Sequence, residues 1–224
     1  MAELAAATRP PAQQPAHQFD DLEQQHEAAR LGMWAFLASE VMFFGGAIAA
    51  FAVYRFLEPH AFALASRHLD LPLGSINTVV LIGSSFTMAL AVRAASLGAR
   101  RTQVVGLLLT MLLGSAFLVV KGVEYHHKWV DHLVPGPYFD FEGPPAIART
   151  AWIFFSFYFV LTGLHALHMV IGLVIVAIAA AKASRGAFTP EHHSMLEVTG
   201  LYWHFVDVMW IFLFPLLYLI GRHG

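Results

Sequence analysis

Six residues in this sequence are of types that do chemistry and stand where charge is expensive. His204 and Asp207 lie within GLYWHFVDVMWIFLFPLLYL (200–219), and His165 and His168 within FVLTGLHALHMVIGL (159–173). Glu40 lies within WAFLASEVMFFGG (34–46), and Glu124 closes an apolar run beside Tyr125, His126 and His127. Each His/Asp or His/His pair is spaced by three, which puts both members on one face of a helix. An ionisable side chain near the centre of a bilayer costs ~3 kcal/mol or more, so these groups need a purpose.

Three chemistries would supply one. Histidines on facing helices can hold a b-type haem, and His165 and His204 both fall ~10 Å from one membrane surface when counted at 1.5 Å per residue. Against that reading, Trp203 and Phe205 flank His204 and crowd the space a macrocycle requires. Buried carboxylates and histidines can instead relay protons, yet one carboxylate per apolar segment is a sparse path. The third reading asks least: polar groups bond between helices because lipid offers no other partner.

The elements that must position these residues follow from composition. The chain has 224 residues, 58% hydrophobic and 12% charged, against about 25% charged in a soluble domain. Membrane accounts for that excess. Five apolar segments, at about 31–56, 75–97, 104–123, 151–181 and 198–220, each reach the ~20 residues that cross a hydrocarbon core. The expected fold is all-α, a polytopic bundle of five transmembrane helices over 30–221. The Pro- and Gly-bearing stretches between them read as loops, among them EPHAFALASRHLDLPLGS. Residues 1–29 read as a mobile acidic tail without the pattern of a secretory signal, with a short helix expected at about Phe19–Arg30 leading into the membrane.

Net charge is −2 and no basic block is present, which argues against a nucleic-acid partner. With no cysteine there are no thiolate metal sites, Fe–S clusters or c-type haem attachments. The tail, GARRTQ and the KASRG loop share one side, with Arg30, Arg93, Arg100, Arg101, Lys182 and Arg185 near membrane ends. The other side holds Arg55, Arg67, Lys121, Lys128, Arg149 and Arg222. If Arg55 and Lys121 snorkel, the positive-inside rule favours an inner N-terminus. Arg100, Arg101, Lys182, Arg185, His192 and His193 are then candidate contacts for lipid headgroups at the inner face.

Five motifs occur in order: WAFLASEVMFFGG, INTVVLIGSSFTMALA (76–91), KGVEY (121–125), FVLTGLHALHMVIGL and HHSMLEVTGLYWHFVDVMWIFLF (192–214). Together they closely resemble subunit III of the haem–copper oxidases, the cytochrome c and quinol oxidase family, over about residues 32–218. The resemblance implies an accessory chain of an aerobic respiratory complex that reduces oxygen to water and pumps protons. It implies no catalytic centre, metal or cofactor in this chain, with haem and copper held by subunits I and II. The implied role is to bind beside subunit I, hold phospholipid and sustain proton uptake, with a larger respiratory supercomplex as a further setting.

By the same resemblance Glu40 matches the family's carbodiimide-reactive glutamate. His165 and His168 match its His-x-x-His, His204 and Asp207 its YWHFVD pair, and Glu124 its helix-end glutamate. All six are expected as buried structural groups or proton-uptake support, with His204 and Asp207 as partners for Glu40 at similar depth. Long members of the family carry two further N-terminal helices. Five spans and an acidic tail resemble the short bacterial form, placed in the inner membrane with its N-terminus inside. A quinol oxidase subunit or a chain accompanying nitric oxide reductase is the alternative within the family. An independent b-haem protein or transporter is the alternative outside it.

Overall fold

A computed structural model describes residues 17–190 and 193–222. Six α-helices and a closing 3-10 turn make up the described chain: α1 (Leu22–Leu57), α2 (Pro59–Arg67), α3 (Leu71–Ser96), α4 (Arg100–Val130), α5 (Pro145–Ser184), α6 (Ser194–Tyr218) and Ile220–Arg222. All except α2 are long and apolar enough to cross a membrane, so the expected all-α five-span bundle is what forms. His192 and residues 1–16 lie outside the described residues.

The helices begin ahead of the apolar runs, and a cap or a proline marks the start of several of them. At the head of α1, the Asp21 carboxylate accepts from the Gln24 N–H at 2.7 Å, while the Gln24 side chain accepts from the Asp20 N–H at 2.8 Å. This reciprocal cap starts α1 inside the acidic segment, which continues into the first span as one helix. Proline opens α2, α3 and α5, where its missing N–H has no helical partner to lose. The turn from α3 to α4 is short because Gly98 takes a left-handed φ of +70°.

The segment at 58–70 contains a helix that its loop-like punctuation concealed. Pro59 starts α2, and Ala61, Phe62 and Ala65 share the face that is buried. Phe62 meets Phe51 of α1 and Phe154 of α5, with ring centroids 5.3 and 5.5 Å apart. The Arg67 Nε donates to the Gly221 carbonyl at 3.1 Å, which closes α2 onto the end of the chain.

Within the bundle α3 and α4 pair antiparallel, α5 packs on α4, and α6 fits between α3 and α5. The α3–α4 seam is polar at intervals: Thr87 and Thr110 share a hydrogen bond of 2.7 Å, and the Asn77 amide donates to the Phe117 carbonyl at 3.3 Å. Trp203 of α6 is fully buried where α4 and α5 leave room for it. A Cβ on Gly114 would meet its ring at 2.8 Å and one on Gly172 at 3.1 Å, and its indole N–H donates to Ser84 at 3.1 Å. Small residues let helices approach closely, and here the gap takes one large ring. By contrast α1 lies on the outside, touching α5 and α6 along the face of Leu37, Phe44 and Phe51.

Candidate functional site: polar groups held between the helices

Glu40 pairs with His168, not with His204 as depth alone suggested. The Glu40 Oε2 lies 3.2 Å from His168 Nε2, and His168 Nδ1 lies 2.8 Å from the Leu164 carbonyl. A carbonyl only accepts, so Nδ1 carries a proton. Nε2 then faces the Glu40 carboxyl. Phe44 packs against the imidazole at 5.4 Å, and the Tyr202 hydroxyl donates to the His168 carbonyl at 3.0 Å. The pair is not sealed: 19% of the Glu40 side chain and 12% of the His168 side chain remain exposed on the α1–α5 flank.

His204 turns the other way, toward α3. Its Nδ1 bonds the Ser85 hydroxyl at 2.7 Å, so the expected partnership of His204 with Glu40 does not form. Asp207 is 3% exposed. Ser85 stands beside it as well, yet neither Asp207 oxygen has a partner in hydrogen-bonding geometry. His165 is fully buried with both ring nitrogens unpartnered, between Phe117 at 5.4 Å and Trp210 at 5.2 Å. The His165 ring is thus enclosed by aromatics, while the His204 ring bonds α3.

Glu124 belongs to a cluster that spacing only half revealed. Lys121 does not snorkel; it is 2% exposed and points inward. Its ammonium donates to Glu124 Oε2 at 2.9 Å, to Tyr218 at 2.6 Å and to Tyr158 at 3.2 Å. The Tyr218 hydroxyl in turn donates to Glu124 Oε1 at 2.6 Å, and the Trp210 ring lies 4.9 Å from the ammonium. All three ammonium hydrogens are used, and both carboxylate oxygens are held. The available signal was the Lys-x-x-Glu spacing, which puts both groups on one helix face; the tyrosines come from distant segments and gave none.

A second cluster ties down the far end of α4. Lys128, 3% exposed at its side chain, lies 3.5 Å from Asp70 and 3.9 Å from Asp131, and donates to the His68 carbonyl. His68 packs edge-on against Phe141 at 5.0 Å. Burial, reinforced by the Lys128 charge, pushes its imidazole below the ordinary histidine value.

The basic residues proposed for lipid gather at the opposite end, where α1 begins. Arg100 donates to the Ser184 carbonyl, and with Arg101 it lines a crevice of about 440 Å³. Lys182 and Arg185 line a second, of about 650 Å³, with Gln25 and His26 of α1. His193 lies 3.2 Å from Glu197. His192 falls outside the described residues.

Five membrane spans with polar pairs held between helices and a cationic rim at one end define an integral membrane bundle. Known proteins narrow the class. Residues 16–222 match the family described as Cytochrome c oxidase subunit III. The chain is 34% identical over 200 residues to cytochrome c oxidase subunit 3 of Oncorhynchus mykiss, covering 86% of this chain and 69% of that one. It is 32% identical over 206 residues to quinol oxidase subunit 3 of Bacillus subtilis (strain 168), covering 91% and 94%. It is 34% identical over 203 residues to cytochrome c oxidase subunit 3 of Papio hamadryas, covering 87% and 70%. The chain belongs to the subunit III family of haem–copper oxidases. It is a multi-pass membrane protein that works in a respiratory oxidase complex with other subunits.

Proposed function

We propose that this chain is the accessory flank of its oxidase: it carries no redox centre, lies beside subunit I in a complex that includes subunit II, holds phospholipid, and keeps protons arriving at the oxygen-reducing site. The observation that carries this reading is the Glu40–His168 pair. It sets a carboxyl 3.2 Å from an imidazole nitrogen and opens onto the flank of the bundle. Lipid is a poor cover for such a pair, whereas a neighbouring subunit with polar groups at that depth is a good one. The commitment of His168 to Glu40 and Leu164, and of His204 to Ser85, supports haem and copper residing in the partner subunits.

The crevices beside Arg100–Arg101 and Lys182–Arg185 suit anionic headgroups, since each joins cations to an apolar wall at a membrane end. A bacterial inner membrane with the N-terminus inside fits both this charge distribution and the near-complete coverage of the Bacillus subtilis chain.

The test is removal of this chain from the assembled oxidase. Chemistry should survive at first, because the metals stay. Proton delivery should falter, because stripping a five-helix flank exposes the neighbouring subunit to water. Oxygen consumption then begins near normal and decays over sustained turnover, more steeply at higher pH, where protons are scarcer. The proposal is overturned if initial activity is abolished with the metals in place, or if the stripped enzyme lasts as long as the whole complex.

A further inference from the structure

Polar residues on α3 and α6 run in a file from one membrane end to mid-bundle. A crevice of about 470 Å³ opens between these helices at the end where α1 begins. Arg93 and Ser96 near the end of α3 line it, as do His193 and Glu197 at the head of α6, and His204 lines it deeper. His204 stands ten residues into α6 and Ser85 eleven before the end of α3, so both are ~15 Å from that end. The file finishes at Asp207, a carboxyl 3% exposed with no hydrogen-bond partner for either oxygen.

Five of the nine residues lining the crevice are polar, four of them near the membrane end and His204 deeper. Further along the same face of α6, Val208, Ile211 and Phe212 form an exposed apolar wall. Buried polar groups without protein partners are ordinarily bonded by water where there is room for it. With Nδ1 held by Ser85, Nε2 is the His204 nitrogen available to water in the crevice.

We propose that the α3–α6 crevice is a water-filled inlet from the membrane surface where α1 begins, and that Ser85, His204 and Asp207 at its floor form a proton-exchanging site hydrated from that side alone. The ligand is water and the proton it carries. His204 takes a proton at Nε2 from inlet water as its Nδ1–H passes to the Ser85 oxygen, and the Ser85 hydroxyl proton passes by way of a bridging water to an Asp207 oxygen. Each atom gives one proton for the one it gains until the carboxylate ends the relay. Return of the imidazole to its first tautomer readies the next exchange. Gly200 sets the width of the inlet, since a Cβ there would meet Val92 Cγ2 at 3.0 Å. This deepens the proton-support reading of His204 and Asp207 and rests on it for its purpose, but its test reads water and not turnover.

The chain has no native cysteine, so single cysteines report on their own surroundings. Ala89→Cys, Leu201→Cys and Ser85→Cys probe the inlet, and Phe212→Cys the lipid-facing wall. Each is assembled into the oxidase in inside-out and right-side-out vesicles and exposed to a charged methanethiosulfonate, which attacks thiolates and therefore needs water. The inlet positions should react at least 100-fold faster than position 212, and only from the side where α1 begins. Adding Gly200→Leu should slow position 85 at least tenfold. Reaction at 85 and 201 no faster than at 212 overturns the inlet in favour of an acyl-filled groove. Equal reaction from both sides overturns its one-sidedness. Either result leaves the turnover-lifetime test of the accessory role standing, so the two readings fail separately.

Discussion

Lys121 commits its three donors inside the bundle, to Glu124, Tyr158 and Tyr218. Breaking one side of a buried ion pair strands the other charge, at a cost of about 3–5 kcal/mol, whereas replacing both sides is often close to neutral. Lys121→Met should therefore destabilise the subunit by about 3 kcal/mol, and Lys121→Met with Glu124→Gln should recover more than half of that. Denaturant titration of the complex in detergent measures both. The pairings of Glu40 and His204 are also separable by double-mutant cycles. His204→Ala should couple to Ser85→Ala by about 0.5–2 kcal/mol and add independently to Glu40→Ala, with Glu40 coupling to His168 instead. Haem and copper spectra should stay unchanged throughout. At the opposite rim, burial and then the Lys128 charge depress His68. Between its unfolded value of about 6.5 and the lower folded value, the unfolded chain binds a proton that the folded chain does not. The His68 contribution is thus complete above pH ~6.5 and declines as pH falls toward the folded value. His68→Gln should flatten that acid-side loss in a stability–pH profile. A profile as steep as the parent's would remove His68 from the account.

Helices were the most legible layer, because an apolar run of membrane length admits few other structures. Their extents were less so: α1 begins at Leu22 in acidic sequence because Asp21 and Gln24 cap it, and hydropathy is blind to caps. α2 was missed because its buried face is only Ala61, Phe62, Ala65 and Ser66, too short to show a period among Pro, His and Gly. Depth along a span predicted that Glu40 and His204 could meet, but depth carries no azimuth. Neighbouring helices set the rotation that turns His204 to Ser85 and gives Glu40 to His168. Lys121 misled for the same reason: a cation near the end of an apolar run can snorkel or turn inward, and residues 37 and more positions away decide which. At this scale the α3–α4 contact gives a sharp prediction. A Cβ on Gly106 would sit 2.9 Å from Ala91 Cβ and 3.0 Å from the Thr87 carbonyl oxygen. Gly106→Leu should force the helices apart and weaken the Thr87–Thr110 bond, at about 1–3 kcal/mol. Gly122→Leu on the same helix has open space at its Cβ and should be close to neutral. Comparing the two variants in one unfolding assay separates crowding from the loss of a glycine.

The molecule as a whole is electrically lopsided, although a raw count of its cations hides this. Among the described residues, each end of the bundle carries six Lys or Arg in or near its rim. Two of the six at the C-terminal end are spoken for inside the protein: Lys121 by Glu124, and Lys128 by Asp70 and Asp131. Arg67 at that end is tied to the Gly221 carbonyl. At the end where α1 begins, Arg93, Arg100, Arg101 and Arg185 are exposed, and none of these four has a carboxylate within ion-pair distance among the described residues. Orientation follows cations in short loops near span ends, and a buried, neutralised lysine contributes little to that bias. The effective balance thus favours the α1 end staying inside more strongly than the sequence count did. Arg101→Cys on that end and Tyr138→Cys on the other, where Tyr138 is 83% exposed, should label oppositely in intact cells. A membrane-impermeant maleimide should modify position 138 and leave 101 untouched until the membrane is opened. Labelling at 101 in sealed cells would invert the whole assignment, and with it the side from which the α3–α6 inlet takes its water.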